Sequence, residues 1–285
     1  YLDDTFADVT ISNTIIENGS SDTYIDIEDT YVTMDNVELN GGSNYGINFE
    51  GTTSLSMNNC QVSGFSDRGL NISGNNVYHT ITNSSFNDSN RGVNVNQTTD
   101  IAFDNCEFTN NGYGIYFQGN NSNTTIDNSL FQNNSDKGIY FESNTSFIIN
   151  NCEFIDNEYG IKSYSQLSSE VRNTIFMNNN ATTIDGNSNQ PNIYNCRISN
   201  NGTGIQNVGT VQNCIINNNA YWGIQSAGSI INTTVVSNGD GISSASSITN
   251  SIVFFNSGTQ VSSGGSVTYS LIQGGYEGTG NLDGN

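Results

Sequence analysis

The stretch "NNCEFIDNEYGI", Asn150 to Ile161, sets two asparagines, a cysteine, polar turn residues and a glycine between evenly spaced apolar residues. Nearly the same phrase stands at Asp104 to Ile115, "DNCEFTNNGYGI", and at Tyr194 to Ile205, "YNCRISNNGTGI". Reduced to its common part, the phrase is apolar, any, Asn, small, any, apolar. Numbered by its first residue, it occurs at Ile11, Met34, Met57, Ile81, Phe103, Ile126, Ile149, Val171, Ile193, Val211, Ile230, Ile248 and Val267. The steps are 22 to 24 residues as far as Ile193 and 18 or 19 beyond it. A sustained period in the low twenties marks a repeat architecture.

Inside the period a second apolar pair follows a glycine, as in Gly46-Ile47-Asn48-Phe49, Gly69-Leu70-Asn71-Ile72 and Gly114-Ile115-Tyr116-Phe117. Alternation with period two means strands with one buried face. No period contains a helical pattern, which excludes a leucine-rich horseshoe. Asn, Ser, Thr and Gly with β-branched and aromatic residues make up most of the chain, and Lys plus Arg total only 6, a composition of short strands joined by turns. The expectation is an all-β parallel β-helix, a solenoid of about 13 coils. It forms one domain over residues 1–285, with longer coils over 1–205 and shorter ones over 206–285.

The third position of the phrase is Asn in every coil except the last, where Tyr269 replaces it. Stacked in register, Asn13, Asn36, Asn59, Asn83, Asn105, Asn128, Asn151 and their successors are expected to form an inward ladder of carboxamides at a corner where Asn tolerates the left-handed conformation. The next position is small, and all five cysteines fall there: Cys60, Cys106, Cys152, Cys196 and Cys214. They read as buried small hydrophobes. Five is an odd number, so a complete disulfide framework is excluded. Cys196 and Cys214 lie on adjacent coils, a separation that permits a bond without requiring one.

The phrase "NCxFxNNxxGI", matched at Asn105 to Ile115, Asn151 to Ile161 and Asn195 to Ile205, resembles the short repeats of the secreted right-handed parallel β-helix families of bacterial and archaeal surface proteins. The ending "YSLIQGGYEGTGNLDGN" resembles late coils of such proteins, which usually continue, so the chain is expected to be a segment of a longer protein. The resemblance implies a right-handed coil and an extracellular or cell-surface setting. It implies less about activity, because the scaffold hosts pectate and alginate lyases, epimerases, glycan hydrolases, tailspikes, adhesins and copper-enzyme maturation factors.

The formal net charge of −21 disfavours nucleic acid, anionic membranes and acidic polysaccharides as partners. No apolar run is long enough to insert in a membrane. No catalytic set emerges. Arg68 and Arg91, equivalent on neighbouring coils, are the only candidates for a lyase centre. The only Asp-Asp, Asp3-Asp4, reads as solvated, and the single histidine, His79, occupies an apolar slot shared with Leu55 and Ile101. Asp26 and Glu28 share a strand face with Glu50 one coil on, a donor set that would take Ca²⁺ as cofactor.

The residues before the coil glycine read Tyr45, Arg68, Arg91, Tyr113, Lys137 and Tyr159, with Tyr116 and Tyr140 beside them. A stripe of aromatic and basic groups at a coil spacing of about 5 Å matches the rise of an extended polysaccharide or cell-surface glycan. The same groups could instead clamp neighbouring turns by cation–π packing. A second outward position changes from Glu38, Gln61 and Glu107 to Ile175, Ile215, Ile252 and Leu271. That row reads as an interface for self-association or a downstream domain. The expected function is an extracellular adhesive or filament-forming module that binds glycan, with a polysaccharide lyase as the alternative.

Overall fold

The computed structural model describes residues 2–3, 8–17, 19, 22–42, 44–74, 77–96, 100–187 and 190–284. Asp4 is outside that set, as is the side chain of Asp3. The chain is all-β, a parallel solenoid of about 12 turns, with no helix among the described residues. It divides into two compact units, Tyr1–Phe147 and Ile148–Asn285.

In the first unit a coil holds three short strands. Leu55–Asn58, Gln61–Ser63 and Arg68–Ser73 are followed one coil on by Tyr78–Thr82, Ser85–Asn87 and Arg91–Asn96. Each pairs in parallel with its equivalent: Met57 with Ile81, Val62 with Phe86, Leu70 with Val93. Like residues therefore sit above one another. Ile47, Leu70, Val93, Ile115 and Ile139 make one buried column, and Phe86, Phe108 and Phe131 stack with centroids 5.5 and 4.7 Å apart. Identical rings at one coil spacing meet as offset stacks, adding to the area they bury.

The second unit repeats this with Glu170–Arg172, Ile175–Met177 and Thr182–Asp185, paired to Asn192–Tyr194, Arg197–Ser199 and the start of Thr203–Gln212. Thr203–Gln212 and Trp222–Ile231 are single ten-residue strands. Thr203–Gln212 pairs with both Thr182–Asp185 and Asn192–Tyr194. The drop to shorter coils is thus the loss of one loop: the third strand of a coil runs straight into the first strand of the next.

The glycine found in most coils has a steric cause. A Cβ on Gly46 would lie 2.4 Å from Gly69 O, and one on Gly114 would lie 2.5 Å from Gly138 O. Coils stack closely there, which favours glycine, although Tyr24 holds the same register position opposite Gly46 and Thr183 holds it between Gly160 and Gly204.

The structure corrects the identity of the inward asparagines. Asn13 to Asn250 of the repeated phrase do take the left-handed conformation, with φ near 50°, but all twelve are exposed. A residue in that conformation at the bend throws its Cβ to the outside. They still form an outer row, with Asn36 Nδ2 donating to Asn13 Oδ1 at 2.9 Å and Asn213 Nδ2 to Asn195 Oδ1 at 3.1 Å.

The inward ladder is the asparagine six residues later: Asn111 and Asn134 in the first unit, and Asn157, Asn179, Asn201, Asn219, Asn238 and Asn256 in the second. Asn179 shows its chemistry. Its Oδ1 accepts the backbone N–H of Asn157 at 3.1 Å, and its Nδ2 donates to Phe154 O at 3.0 Å. Each amide satisfies the backbone of the coil before it, which a buried corner requires.

The small-residue position is inward too, and all five cysteines there are buried. Hydroxyls on this column serve the same purpose as the amides. Ser84 Oγ accepts from Cys60 N at 3.0 Å, Ser129 Oγ from Cys106 N at 3.1 Å, and Ser251 Oγ from Thr233 N at 3.2 Å.

Candidate functional site

In the first unit the strands beginning at Tyr45, Arg68, Arg91, Tyr113 and Lys137 bring the aromatic–basic stripe into strict register. The second row, Asn48, Asn71, Asn94, Tyr116 and Tyr140, runs parallel to it. The two rows interlock. Arg68 Nη1 donates to Asn71 Oδ1 at 2.9 Å, and Arg91 Nη1 donates to Asn94 Oδ1 at 2.9 Å. The Arg91 guanidinium lies 4.3 Å from the Tyr116 centroid, and that of Arg68 lies 5.2 Å from Tyr45. Lys137 Nζ sits 5.0 Å from Tyr113 and 4.9 Å from Tyr140, and pairs with Asp136 at 2.7 Å. Arg68 Nε lies 3.5 Å from Asp67.

The cations lie flat on the sheet. Asn94 faces outward yet is 0 % exposed. Below them a carboxamide chain runs from Asn94 to Asn71 Oδ1, from Asn71 to Asn48 Oδ1, and from Asn48 to Asp26 Oδ1, in steps of 2.8, 2.8 and 2.9 Å. Tyr113, Tyr116 and Tyr140 stack on one another at 5.1 to 6.0 Å. Burial and the hydrogen bond to Asp136 push the Tyr113 phenol up to about 12. Burial and the hydrogen bond to Glu142 push Tyr116 higher still, so both remain donors at any ordinary pH. The clamp that cation–π packing predicts is therefore present. Tyr159 belongs to the second unit, where Lys162 Nζ lies 5.3 Å from its ring and 3.8 Å from Asp185.

The asparagines and carboxylates that pin the cations were missed in the sequence. Their signal was the third residue of each Gly-apolar-Asn-apolar phrase, read there only as an alternating strand position.

The acidic set does not converge. Glu28 and Glu50 are register partners, but the Asn48 amide stands between carboxylates, donating to Asp26 Oδ1 at 2.9 Å and to Glu50 Oε1 at 3.2 Å. Among the described residues no three His, Cys, Asp or Glu side chains group as metal ligands. His79 is buried, accepts the Leu55 N–H at Nδ1 (3.2 Å) and meets Phe49 edge-on. Burial holds its pKa down to about 4.

A shallow polar groove follows the exposed asparagine corner of the first unit. One cavity of about 250 Å³ is lined by Asn59, Asn83, Asn105, Gln61 and Glu107 among others. A second, of about 190 Å³, shares Asn59 and Gln61 with it. In the second unit Ile175, Ile215 and Ile252 are exposed and Leu271 is half-buried, in a row that Arg197 and Thr234 interrupt. Glu153, Ile175, Arg197, Ile215, Thr234, Ile252 and Leu271 stand in register, with Ile215 52 % and Ile252 41 % exposed. Leu282 extends the row beyond Leu271.

No curated protein matches the sequence. Among solved structures the chain is similar to pectate lyase Pel9A, with TM-score 0.54, 17 % identity, 84 % of this chain and 67 % of that chain covered. It is also similar to PfbA, a surface adhesin of Streptococcus pneumoniae, with TM-score 0.34, 12 % identity, and 90 % and 82 % covered. At these identities the first likeness speaks for the fold alone, and the second carries no further weight. The model of the right-handed β-helix region matches residues 2–115 and 68–221. Those matches take in the stripe, the ladders as far as Asn219 and most of the coils described above, and the chain belongs to the right-handed β-helix family.

Proposed function

We propose that this chain is an extracellular surface module that binds a glycan along its stacked coils without cleaving it. The observation that carries this reading is the state of the cations: Arg68 and Arg91 are both held by asparagine amides and tyrosine rings before any ligand arrives. Preorganised donors favour binding, because little side-chain freedom remains to be lost. A lyase base must instead accept a proton, and an arginine held as a stacked, hydrogen-bonded cation is poorly placed to do so.

The charge of the face favours a neutral, hydroxyl-rich glycan over a uronate. Arg68, Arg91 and Lys137 are matched there by Asp67, Asp136 and Glu142, so no net positive field offsets the −21 of the chain. An adhesive or filament-building role fits the same surface.

The test is affinity electrophoresis and calorimetry against neutral and acidic polysaccharides, with ultraviolet absorbance of unsaturated products followed in parallel. A neutral glycan should bind, and Arg91→Ala with Tyr140→Ala should weaken it by about tenfold or more. Unsaturated product from a uronate polysaccharide, lost in Arg68→Ala, would establish the lyase reading instead.

A further inference from the structure

The five thiols occupy the same inward position of their coils, but they do not have the same neighbours. Cys60 stands between Val37 and Ser84, and Cys106 between Ser84 and Ser129. Cys152 is followed by Thr174, whose Oγ1 accepts from Cys152 N at 3.4 Å. Cys196 is followed by Cys214. There the acceptor of the buried backbone N–H is a sulfur: Cys196 N donates to Cys214 Sγ at 3.5 Å.

The flanking register is continuous, with Arg197 over Ile215 and Asn195 N bonded to Gln212 O at 3.0 Å. The two sulfurs occupy equivalent points. Cys196 Sγ lies 3.2 Å from Tyr194 O and 3.7 Å from Val171 O; Cys214 Sγ lies 3.3 Å from Gln212 O and 3.7 Å from Ile193 O. Consecutive coils place such Cα atoms about 4.8 Å apart, inside the span a disulfide bridges.

We propose that Cys196 and Cys214 are joined by a disulfide that forms as these coils assemble, with a low-molecular-weight disulfide of the glutathione type as oxidant. The location within the fold supports it. The step from Ile193 to Val211 is the first of the shortened coils, where the loop before the next coil disappears. A bond there ties the last coil of the longer kind to the first of the shorter kind.

The chemistry balances in two exchanges. The Cys214 thiolate attacks one sulfur of the oxidant, whose S–S bond breaks and releases one thiolate that takes up a proton. The Cys196 thiol gives up its proton, attacks Cys214 Sγ of the mixed disulfide and expels the second thiolate, which is protonated in turn. Two protein S–H bonds are replaced by one S–S bond, and one small disulfide becomes two small thiols. Both thiols are buried once the coils have closed, so exchange belongs to the stage before closure.

The protein is refolded in a glutathione redox buffer, denatured and alkylated, and then mapped by mass spectrometry. Three alkylated thiols are expected, with the peptides of Cys196 and Cys214 linked. The triple variant Cys60→Ser, Cys106→Ser, Cys152→Ser tests the assignment, and serine already occupies this column at Ser84, Ser129, Ser251 and Ser270. It should still lose two thiols. Reduction should lower the melting temperature by roughly 5–10 °C, and Cys214→Ser should match the reduced parent. Five alkylated thiols after oxidative refolding, or a bridge to any of the other three cysteines, would overturn the proposal.

Discussion

The two units share an interior and differ on the outside. Residues 1–147 carry nineteen acidic and three basic side chains, and residues 148–285 carry eight and three. The first unit holds the pinned stripe and the polar groove, and the second holds the in-register apolar row from Ile175 to Leu271. Inside, both use columns of aliphatic residues, stacked phenylalanines and a buried amide at the same corner. Inward positions answer to packing, which is the same in every coil. Outward positions are free of that demand, and there the units have diverged.

The largest test of this contrast is the buried amide. Asn111→Leu in the first unit and Asn179→Leu in the second should each destabilise by about 2–5 kcal/mol, because a backbone N–H and a carbonyl lose their partners. Chemical denaturation measures both. Unequal costs, with one near zero, would break the claim of a common interior. The exposed Asn173→Gly is the control, expected within about 1 kcal/mol because glycine accepts the left-handed backbone.

Acid should separate the units next. The chain has one histidine, His79, and it lies in the first unit. Its folded pKa of about 4 is below the ordinary 6.5, so the stability it permits is complete above 6.5 and is lost as pH falls toward 4. The loss is about 3 kcal/mol. Hydrogen exchange should show the coils around His79 opening first, and His79→Leu should remove that step. Exchange starting in residues 148–285 of the parent would reverse the expectation.

A smaller difference is expected between two arginines. Arg91→Ala strips a cation from Tyr116 and leaves the enclosed Asn94 amide short of a partner, for about 1–3 kcal/mol. Arg197 is exposed in the apolar row, and Arg197→Ala should stay within about 0.5 kcal/mol. Thermal melts of both variants sharpen the contrast between a clamped cation and a solvated one.

The smallest effect concerns the row itself. Ile215→Asp and Ile252→Asp should each change the melting point of the dilute, isolated chain by no more than about 0.5 kcal/mol allows, since both side chains face solvent. A larger loss, together with a mass above the monomer by light scattering, would show that this face is covered by a second copy.

Period, strands and core were legible in the sequence because burial on one face writes apolar residues at every second position, and stacking writes them again one coil later. The reading failed where two asparagines six residues apart compete for one role. Composition gives both the same letter, but the corner at Asn105 turns its Cβ outward while the next corner turns Asn111 inward. The stripe from Tyr45 to Lys137 was legible as a row. Its condition was not, because whether Arg91 reaches outward or lies across Asn94 depends on which side-chain acceptors and rings stand beside it on the folded face, and these come from other positions and other coils.

That close approach of glycine to glycine makes the coils interchangeable. Within each unit a coil meets a near copy of itself above and below, so the interior there has translational symmetry along one direction, as a crystal has in three. Among coils of one length, duplicating or deleting a coil's worth of codons in frame leaves the flanking coils with neighbours of the same kind as before. Length in such a gene can drift by recombination at little structural cost, and selection is left to act on how many outward rows a ligand can span.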